Sequence, residues 1–245
     1  MYHFFIEPEQ VQGREIAVIG PDVNHIRSVL RMKPGEEISV SDGRGKTYAC
    51  VIEALEPEKI RLGIQKIQEI STELGAQVTL YQGLPKGDKL ELIIQKCVEL
   101  GVSRIVPVTT RRTIVKLDAK KEASRVQRWN GIAHSAAKQS GRSLIPQVTG
   151  VYTLAEAVRE ASQLDVCLIP YELAEDMEKT RQELGAVRPG QSVGIFIGPE
   201  GGFDEAEVEQ VMKAGGRPIT LGRRILRTET AGMAVLAMLT LLLEE

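Results

Sequence analysis

Ser192-Val-Gly-Ile-Phe-Ile-Gly-Pro-Glu-Gly-Gly-Phe203 decides the fold, because an apolar run typical of a buried strand leads directly into a glycine-rich loop. Arg217-Pro-Ile-Thr-Leu-Gly-Arg-Arg-Ile-Leu-Arg-Thr-Glu-Thr-Ala231 repeats this arrangement, with a short apolar run before Gly222. Helical patterns follow both loops. We therefore expect each loop at the carboxyl end of a parallel strand, which is where open α/β sheets bind their ligands.

From residue 77 onwards, strands alternate with helices. The predicted strands are 78–82, 104–109, 165–169, 193–197 and 218–221. The predicted helices are 88–100, one within 116–138, 154–161, 174–184, 204–214 and 229–243. This alternation is typical of βαβ units, so the sequence predicts an α/β domain with a parallel sheet over residues 77–245.

Residues 3–70 instead have mostly strand patterns. The predicted strands are 4–6, 15–19, 37–40, 46–52 and 59–65, with a turn-rich hairpin signal at 41–45. A short helix is predicted over 22–30, with Asp22 as its N-cap. Five short strands and one helix suggest a small β-barrel domain over residues 1–70. The change of periodicity after it predicts a linker over residues 71–76.

Basic residues are concentrated in the middle of a chain whose formal net charge is −2. From Lys86 to Arg142 there are 13 Lys or Arg residues against 5 Asp or Glu. A basic block in an otherwise acidic chain suggests a polyanionic partner such as nucleic acid. Solvated helix faces would give the same pattern, so both interpretations stay open at this point.

Simple observations disfavour several classes of protein. Three widely spaced cysteines, Cys50, Cys97 and Cys167, indicate free, packed thiols in a reducing compartment. The three histidines lack a second ligand at metal-binding spacing, so we expect no metal. The most apolar segment, residues 231–243, is too short to span a bilayer, and no signal peptide is visible. We therefore expect a cytoplasmic protein without a membrane partner.

The two glycine-bearing loops exclude some chemistries and permit others. Gly198-Pro-Glu-Gly-Gly202 lacks both the ending of a phosphate loop and the glycine spacing of a dinucleotide site, and a tight turn would also explain it. Arg223, Arg224 and Arg227 would repel one another unless an anion or carboxylate lies among them, and Glu229 can pair with only one or two. Our hypothesis is that backbone groups of both loops hold a small adenine-containing cofactor.

The basic block would then bring RNA to this cofactor through phosphate contacts, which position RNA without reading its sequence. The candidates within the block are Lys86, Lys89, Lys96, Arg111 and Arg112. Residues 139–142 either contact the RNA backbone, through Gln139 and Arg142, or form a plain C-cap turn. Residues 25–31 are likewise either a solvated helix face or a phosphate-contacting one, through His25, Arg27 and Arg31.

Leu221-Gly-Arg-Arg-Ile-Leu-Arg-Thr-Glu-Thr-Ala231, preceded by Gly198-Pro-Glu-Gly-Gly-Phe203, resembles the RsmE family of ribosomal RNA methyltransferases. The resemblance covers nearly the whole chain, since residues 25–31, 95–102 and 139–142 look like further signatures of the family. Its members belong to the SPOUT class. The resemblance implies a PUA-like N-terminal barrel that binds RNA, a C-terminal SPOUT domain with a deep trefoil knot, and a homodimer. Because knots are almost absent from proteins, this feature comes from the resemblance alone.

The resemblance also implies a cofactor, a product and a target. The cofactor is S-adenosyl-L-methionine, the product S-adenosyl-L-homocysteine, and the target N3 of uridine 1498 in the decoding region of 16S ribosomal RNA, within the small ribosomal subunit. The implied cofactor pocket combines the two glycine-bearing loops with the loop after residue 169. Its members are Pro170, Tyr171, Glu172, Ile197, Gly198, Pro199, Glu200, Gly201, Gly202, Leu221, Gly222, Ile225, Leu226, Arg227, Thr230 and Ala231.

Methylation at uridine N3 requires the loss of a proton that this nitrogen carries at neutral pH. Arg227 is the first choice for a catalytic residue, because a guanidinium can stabilise the charge that develops on the uracil oxygens. Arg224 would contact phosphate. Glu229 is either a general base or the structural partner that holds Arg227 in place.

Three other functions stay open. The chain could be a non-catalytic RNA-binding factor in ribosome assembly, or a SPOUT methyltransferase that acts on another RNA. A small-molecule nucleotide enzyme that binds phosphate at residues 198–202 is disfavoured by the missing Lys-Ser/Thr ending.

Overall fold

A computed structural model describes residues 1–68, 72–174 and 176–244. The chain forms two compact units: Met1–Glu73 with Ala137–Ile145, and Leu74–Ala136 with Pro146–Glu245. Ser71, the first residue of the predicted linker, lies outside the described residues. The predicted domain limits, 1–70 and 77–245, stay a prediction. The structure departs from them in one respect, because residues 137–145 cluster with the first unit.

The first unit is built on a six-stranded sheet. Its strands are β1 (Tyr2–Phe5), β2 (Val11–Gln12), β3 (Glu15–Ile19), β4 (Glu37–Ser41), β5 (Thr47–Leu55) and β6 (Lys59–Gln68). They lie in the order β1-β4-β5-β6-β3-β2, and the pairs are antiparallel except for β1 with β4. The side chains of β3 alternate, so that Ile16 and Val18 enter the core. The five predicted strands are confirmed, and β2 is too short to give a periodic signal.

The helix of the first unit begins earlier than predicted. α1 covers Pro21–Asn24 and continues as a π-helical turn over His25–Val29. The prediction of Asp22 as N-cap was wrong. Gly20 occupies that position with a φ of 78°, because the proline after it needs no N–H partner in the first turn and starts the helix there. The Asp22 carboxylate instead accepts a hydrogen bond from the Lys138 ammonium at 2.6 Å.

A cluster of hydrogen bonds at one carboxylate helps to hold residues 137–145 in the first unit, together with the contact between Lys138 and Asp22. Glu73 accepts hydrogen bonds from the Arg142 guanidinium, from the N–H and hydroxyl of Ser143 at 2.9 and 3.1 Å, and from the Leu144 N–H at 3.1 Å. The Arg142 side chain is only 4% exposed. These contacts join positions about seventy residues apart, and local periodicity carries no sign of them.

The second unit contains a parallel sheet of seven strands. They are β7 (Gln77–Gly83), β8 (Arg104–Thr109), β9 (Gln147–Val148), β10 (Tyr152–Thr153), β11 (Val166–Pro170), β12 (Ser192–Ile197) and β13 (Arg217–Ile219). The order is β10-β8-β7-β12-β11-β13, and β9 also pairs with β8. Each of these pairs is parallel, which confirms the predicted α/β fold.

Helices connect these strands close to the predicted positions. They are α2 (Lys89–Glu99), α3 (Ala119–Ser140), α4 (Leu154–Ala161), α5 (Met177–Gly185), α6 (Glu205–Lys213) and α7 (Thr228–Leu243). Asp204 caps α6, since its side chain accepts the Ala206 N–H. The predicted helix 174–184 includes Glu175, which lies outside the described residues. α5 begins at Met177 because Asp176 caps it.

The apolar C-terminal segment forms α7, which buries one face, whereas Leu241 and Leu242 are 82% and 52% exposed. Val235, Leu236 and Leu239 are fully buried, and the helix packs against α2 and β12. Within the described residues, no helix has the length and apolarity that crossing a bilayer would require.

The three cysteines are free and buried, which confirms the prediction of packed thiols. Burial raises the pKa of Cys50 to about 11 and the pKa of Cys97 and of Cys167 to about 12. These thiols are therefore protonated at neutral pH and act as small apolar groups.

Candidate functional site

Three loops leave the same edge of the parallel sheet. β12 and β13 lie on either side of β11 and run parallel to it. We call residues 198–203, after β12, the first glycine loop, and residues 220–227, after β13, the second glycine loop. Residues 170–174 at the end of β11 form the tyrosine loop. The topology therefore brings together the two segments that the strand–loop–helix pattern singled out.

The three loops surround a cavity of about 980 Å³, a size typical of small-molecule sites. All but one of the predicted cofactor contacts line it, namely Pro170, Tyr171, Glu172, Ile197, Gly198, Pro199, Glu200, Gly201, Gly202, Leu221, Gly222, Ile225, Leu226, Arg227 and Ala231. Thr230 is exposed and does not line the cavity. The other lining residues are Lys89, Ala174, Met177, Phe203, Thr220, Arg223, Arg224, Thr228 and Glu229.

Close main-chain approach shapes the first glycine loop. A Cβ at Gly198 would lie 2.9 Å from the backbone of Gly202, which has a φ of 69°. The Gly202 N–H donates to the Pro199 carbonyl at 2.9 Å and closes a tight turn. Gly83, at the end of β7, makes room for this turn, since a Cβ there would approach Pro199 to 2.5 Å. The glycines of this loop thus allow both the tight turn and the exposure of its main chain.

A chain of hydrogen bonds ties the first glycine loop to the start of α7. The Thr228 hydroxyl donates to the Gly198 carbonyl at 2.7 Å and accepts from the side-chain amide of Gln82 at 2.9 Å. Both polar side chains are buried. Sequence reasoning missed Gln82. The only signal for it was a lone amide near the carboxyl end of an otherwise apolar strand.

Arg111 and Arg112, predicted as RNA contacts, also support the first glycine loop. The Arg112 guanidinium donates to the Gly201 carbonyl, and Arg111 Nη1 lies 3.0 Å from the Asp204 carboxylate. Both arginines are exposed. Both arginines belong to the basic block and directly follow β8, so the block contacts the cavity wall at this point.

Lys89, the first residue of α2, reaches the cavity from the side of β7. Its Nζ lies 2.8 Å from Glu200 Oε1 and 3.7 Å from Glu229 Oε1. Glu200 Oε1 also accepts the Lys86 N–H at 3.0 Å. The hydrogen bond with Glu200 raises the pKa of Lys89. Burial alone would raise the pKa of Glu200, but the hydrogen bonds from Lys89 and from N–H groups outweigh it and lower that pKa. Both groups are therefore charged at neutral pH.

Glu229 lies in the first turn of α7 with its side chain 16% exposed. Its Oε2 is buried and has no hydrogen-bond partner among the described residues. The alternative role predicted for Glu229, holding Arg227, is not found, because its ion-pair partner is Lys89. One carboxylate oxygen thus faces a cation while the other is free for a donor that the chain does not supply.

The three arginines of the second glycine loop share one cavity. Arg223, Arg224 and Arg227 all line the cavity and are exposed. None of them forms an ion pair within the part of the chain that the structure describes. Their mutual repulsion is therefore unrelieved by the protein itself, which leaves a place for an anionic ligand.

Some of the remaining predicted RNA contacts are exposed, and others are paired with a carboxylate of the protein. The exposed ones are His25, Arg27, Arg31, Lys86 and Gln139. Lys96 pairs with Glu99 at 2.8 Å along its own helix. The prediction for Arg142 was wrong, because its guanidinium is buried against Glu73 and serves the first unit's own packing.

The cavity walls fit a ligand that combines a flat heterocycle with a charged end. Ile197, Leu221 and Leu226 supply apolar surface beside the bare main chain of the two glycine loops, while the charged side chains described above supply its ionic part. Within the described residues, no group of three or more His, Cys, Asp or Glu side chains is arranged to hold a metal ion.

Two family models match the chain. Residues 71–240 match the RNA methyltransferase domain, and residues 18–65 match the RNA methyltransferase PUA domain. The first match alone covers more than half of the sequence.

Known relatives are similar over nearly their full length. The chain is 35% identical to ribosomal RNA small subunit methyltransferase E of Bacillus subtilis, over 97% of this chain and 95% of the relative. The crystal structure of a ribosomal RNA small subunit methyltransferase E from Neisseria gonorrhoeae bound to S-adenosyl methionine has a TM-score of 0.82 and 33% identity, with 99% of this chain and 98% of that chain covered. A Legionella pneumophila protein solved with the bound cofactor SAM has a TM-score of 0.82 and 32% identity, with 98% and 96% covered.

Proposed function

Since the chain belongs to the family of ribosomal RNA small subunit methyltransferase E, we propose that it is an S-adenosylmethionine-dependent enzyme that methylates N3 of a uridine in 16S ribosomal RNA. The observation that carries this proposal is the single cavity that the two glycine loops and the tyrosine loop enclose, with three arginines among its lining residues. The proposed target is uridine 1498 in the decoding region of the small subunit, on the strength of the family resemblance.

The cavity walls would hold the cofactor mainly through the main chain. N–H and carbonyl groups of residues 198–202 and 221–222 can read adenine without polar side chains. Pro170, Tyr171 and Glu172 would close the third side, and the apolar wall at Ile197 and Leu226 would exclude water. S-adenosylmethionine, when bound, supplies an activated methyl group carried by a sulfonium centre. S-adenosylhomocysteine would occupy the same walls as product.

The protein's own chemical contribution is directed at the acceptor nitrogen. Arg227 is our first choice for stabilising the negative charge on the uracil oxygens as N3 loses its proton, and Arg224 would contact phosphate. Glu229 lines the cavity, and its carboxylate would accept that proton. Its ion pair with Lys89 argues against the role of holding Arg227, so we assign Glu229 the base role in this proposal.

RNA would be held by cations that remain free for phosphate. Lys86 is exposed beside the cavity, and Arg111 and Arg112 keep their charge while they support the first glycine loop. Further along, Lys116, Lys120 and Arg125 form no ion pair with any described residue, and Lys116 and Lys120 are exposed. Such contacts position RNA independently of sequence, and the target base must leave its stack to reach the cavity.

The finer features of the fold are part of the same proposal. From β13 the chain returns through the second glycine loop to α7, whose first residue bonds to the first glycine loop and whose body packs on β12. This path supports the deep trefoil knot of the SPOUT class. The homodimer and the cytoplasmic location are proposed on the family resemblance.

The direct test uses small ribosomal subunits from cells that lack this methylation. The 16S RNA is mapped by mass spectrometry before and after incubation with the protein and S-adenosylmethionine. We expect one new methyl group, at N3 of uridine 1498. If neither subunits nor free 16S RNA gain a methyl group, the proposed reaction is wrong. A methyl group on a different RNA would favour the alternative of a SPOUT methyltransferase with another target.

A further inference from the structure

Helix stability does not explain why Lys89 begins α2. The backbone dipoles of a helix disfavour a positive charge at its amino end. Asp88 occupies the N-cap position but makes no side-chain capping hydrogen bond there. The reason for a lysine at this position must therefore be sought in what its ammonium group contacts.

Lys89 contacts carboxylates from two other elements. Glu200 belongs to the first glycine loop, and Glu229 belongs to α7, directly after the second glycine loop. The Lys86 N–H fixes Glu200 from the side of α2 as well. The ammonium thus links α2 to both halves of the cavity wall. Without it, Glu229 would lose the one cationic partner that it has among the described residues.

Glu229 uses only one of its two oxygens in this arrangement. Oε1 faces the Lys89 ammonium at 3.7 Å, whereas Oε2 is buried and unpartnered within the described residues. An unpaired buried acceptor costs stability, so a native structure that keeps one calls for an explanation. Glu229 also lines the cavity, so its carboxylate is placed to meet a donor on the substrate, and the N3–H of a uracil is a donor of the right kind.

We propose that Lys89 is a positioning residue, which is anchored by Glu200 and holds the Glu229 carboxylate at the cavity wall, facing the uracil N3–H. The inference rests on the proposed function. In the proton transfer, the N3–H bond breaks, its electron pair stays on the uracil ring, and the proton passes to the Glu229 carboxylate and then to solvent. Lys89 itself does not accept the proton, because the Glu200 carboxylate raises the pKa of its ammonium and keeps it charged.

This role differs from the phosphate contact that the basic block predicted for Lys89, and the two roles have different kinetic signatures. Loss of a phosphate contact weakens RNA binding, so it raises KM and lessens the dependence of binding on salt. Loss of a positioning contact leaves RNA binding intact and lowers kcat.

The experiment compares wild type, Lys89→Met, Lys89→Arg and Lys86→Met in the small-subunit methylation assay. We expect Lys89→Met to lower kcat by about 10- to 100-fold, because misplacing a reacting group by about 1 Å has an effect of this size. Its KM for the subunit and its calorimetric Kd for S-adenosylmethionine should stay within about twofold of wild type, well below the tenfold change that 1.4 kcal/mol produces.

Lys89→Arg should recover part of kcat. Lys86→Met removes a neighbouring exposed charge but keeps the N–H to Glu200, so it should raise KM and retain kcat.

The outcomes distinguish a failure of the proposed function from a failure of the role proposed for Lys89. If wild type neither binds S-adenosylmethionine nor methylates RNA, the proposed function fails. If wild type is active and Lys89→Met raises KM with an unchanged kcat, as Lys86→Met does, only the role of Lys89 is overturned. Should Lys89→Met fail to fold in urea titrations, Glu200→Gln gives the answer, since it removes the anchor and leaves Lys89 and Glu229 in place. A wild-type kcat in Glu200→Gln would then overturn the inference.

Discussion

Arg227 begins α7 through its backbone carbonyl and presents a charged side chain to the cavity. Its carbonyl accepts the N–H groups of Thr230 and Ala231 and so begins α7, while its guanidinium is exposed and lines the cavity. The neighbouring Glu229 pairs with Lys89, so no described carboxylate neutralises Arg227. A guanidinium kept free of protein carboxylates at a cavity is suited to stabilising negative charge on a bound substrate.

Replacing Arg227 by alanine should lower kcat on small subunits by about 100-fold, the usual effect of removing one stabilising donor from a developing oxyanion. The affinity for S-adenosylmethionine should change little, which calorimetry can check. Arg223→Ala is the matched control, because it removes a guanidinium from the same loop. Near-normal turnover in Arg227→Ala would remove this residue from the catalytic role.

Glu73 is the residue on which the placement of residues 137–145 depends. Burial alone would raise its pKa, but hydrogen bonds from Arg142, the Leu144 N–H and Ser143 outweigh burial and lower the pKa below the ordinary value of 4.5. A carboxyl whose pKa is lower in the folded state stabilises the fold above its unfolded-state pKa. That contribution is lost as the pH falls through the lower, folded-state value.

Glu73→Gln should therefore lower the free energy of unfolding by about 3 kcal/mol at neutral pH, because it leaves Arg142 buried without its counter-charge. The difference from wild type should narrow as the pH falls below 4.5. Urea unfolding at a series of pH values measures both effects. Glu58→Gln, at an exposed turn, serves as the control. A difference that stays constant between pH 7 and pH 3 would contradict the ionic origin of the effect.

At the scale of elements, local patterns predicted the fold well wherever burial follows a period. β3, β8 and α4 match their predicted limits, because their apolar spacing and capping residues are local signals. The start of α1 was missed, since the positive φ of Gly20 shifted the cap by two residues. β9 and β10 were missed because two residues carry no period, and their pairing with β8 is set by distant chain.

The contact between α7 and the first glycine loop can be tested through Thr228. Thr228→Val keeps the shape but leaves the Gly198 carbonyl and the Gln82 amide without their shared hydroxyl. The Gln82 amide still donates to the Gly83 carbonyl at 3.0 Å and to the Gly198 carbonyl at 3.5 Å, so we expect the loss of about 0.5–1.5 kcal/mol typical of a hydrogen bond, and a weaker affinity for S-adenosylmethionine. Thr228→Ser keeps the hydroxyl and should behave much more like wild type. Equal losses in the two variants would show that the hydroxyl is not the element that joins the two loops.

At the scale of the whole molecule, the charge pattern predicted a basic RNA-binding face but did not show which of its cations are paired within the protein. The basic block in the sequence contains residues that the fold uses internally, such as Arg142 with Glu73 and Lys96 with Glu99. Their partners lie on other elements or in other turns, so no count of charges could separate them from free cations. The ion pairs of Lys89 were missed for the same reason, because only the tertiary fold brings Glu200 and Glu229 to it.

The free cations of the block should control how RNA binding depends on salt. Changing Lys116, Lys120 and Arg125 together to glutamine should reduce the slope of log affinity against log salt by about 2, since each contact with single-stranded phosphate contributes about 0.7. Filter binding with a 16S RNA fragment measures the slope. The control variant changes Arg159, Arg188 and Lys213, which lie outside the block, and should leave the slope unchanged. Equal slopes in wild type and both variants would place the RNA elsewhere.

The claim that the two glycine loops form one main-chain cradle for a methyl donor is tested most directly by calorimetric titration of S-adenosylmethionine. Wild type should bind one molecule per chain. Gly198→Ala should weaken binding by about 10-fold or more, because its Cβ would lie 2.9 Å from the Gly202 backbone and the loop would have to shift. Gly131→Ala, in the open interior of α3, should bind like wild type. Absence of binding heat in wild type, or equal affinity in Gly198→Ala, would contradict the claim.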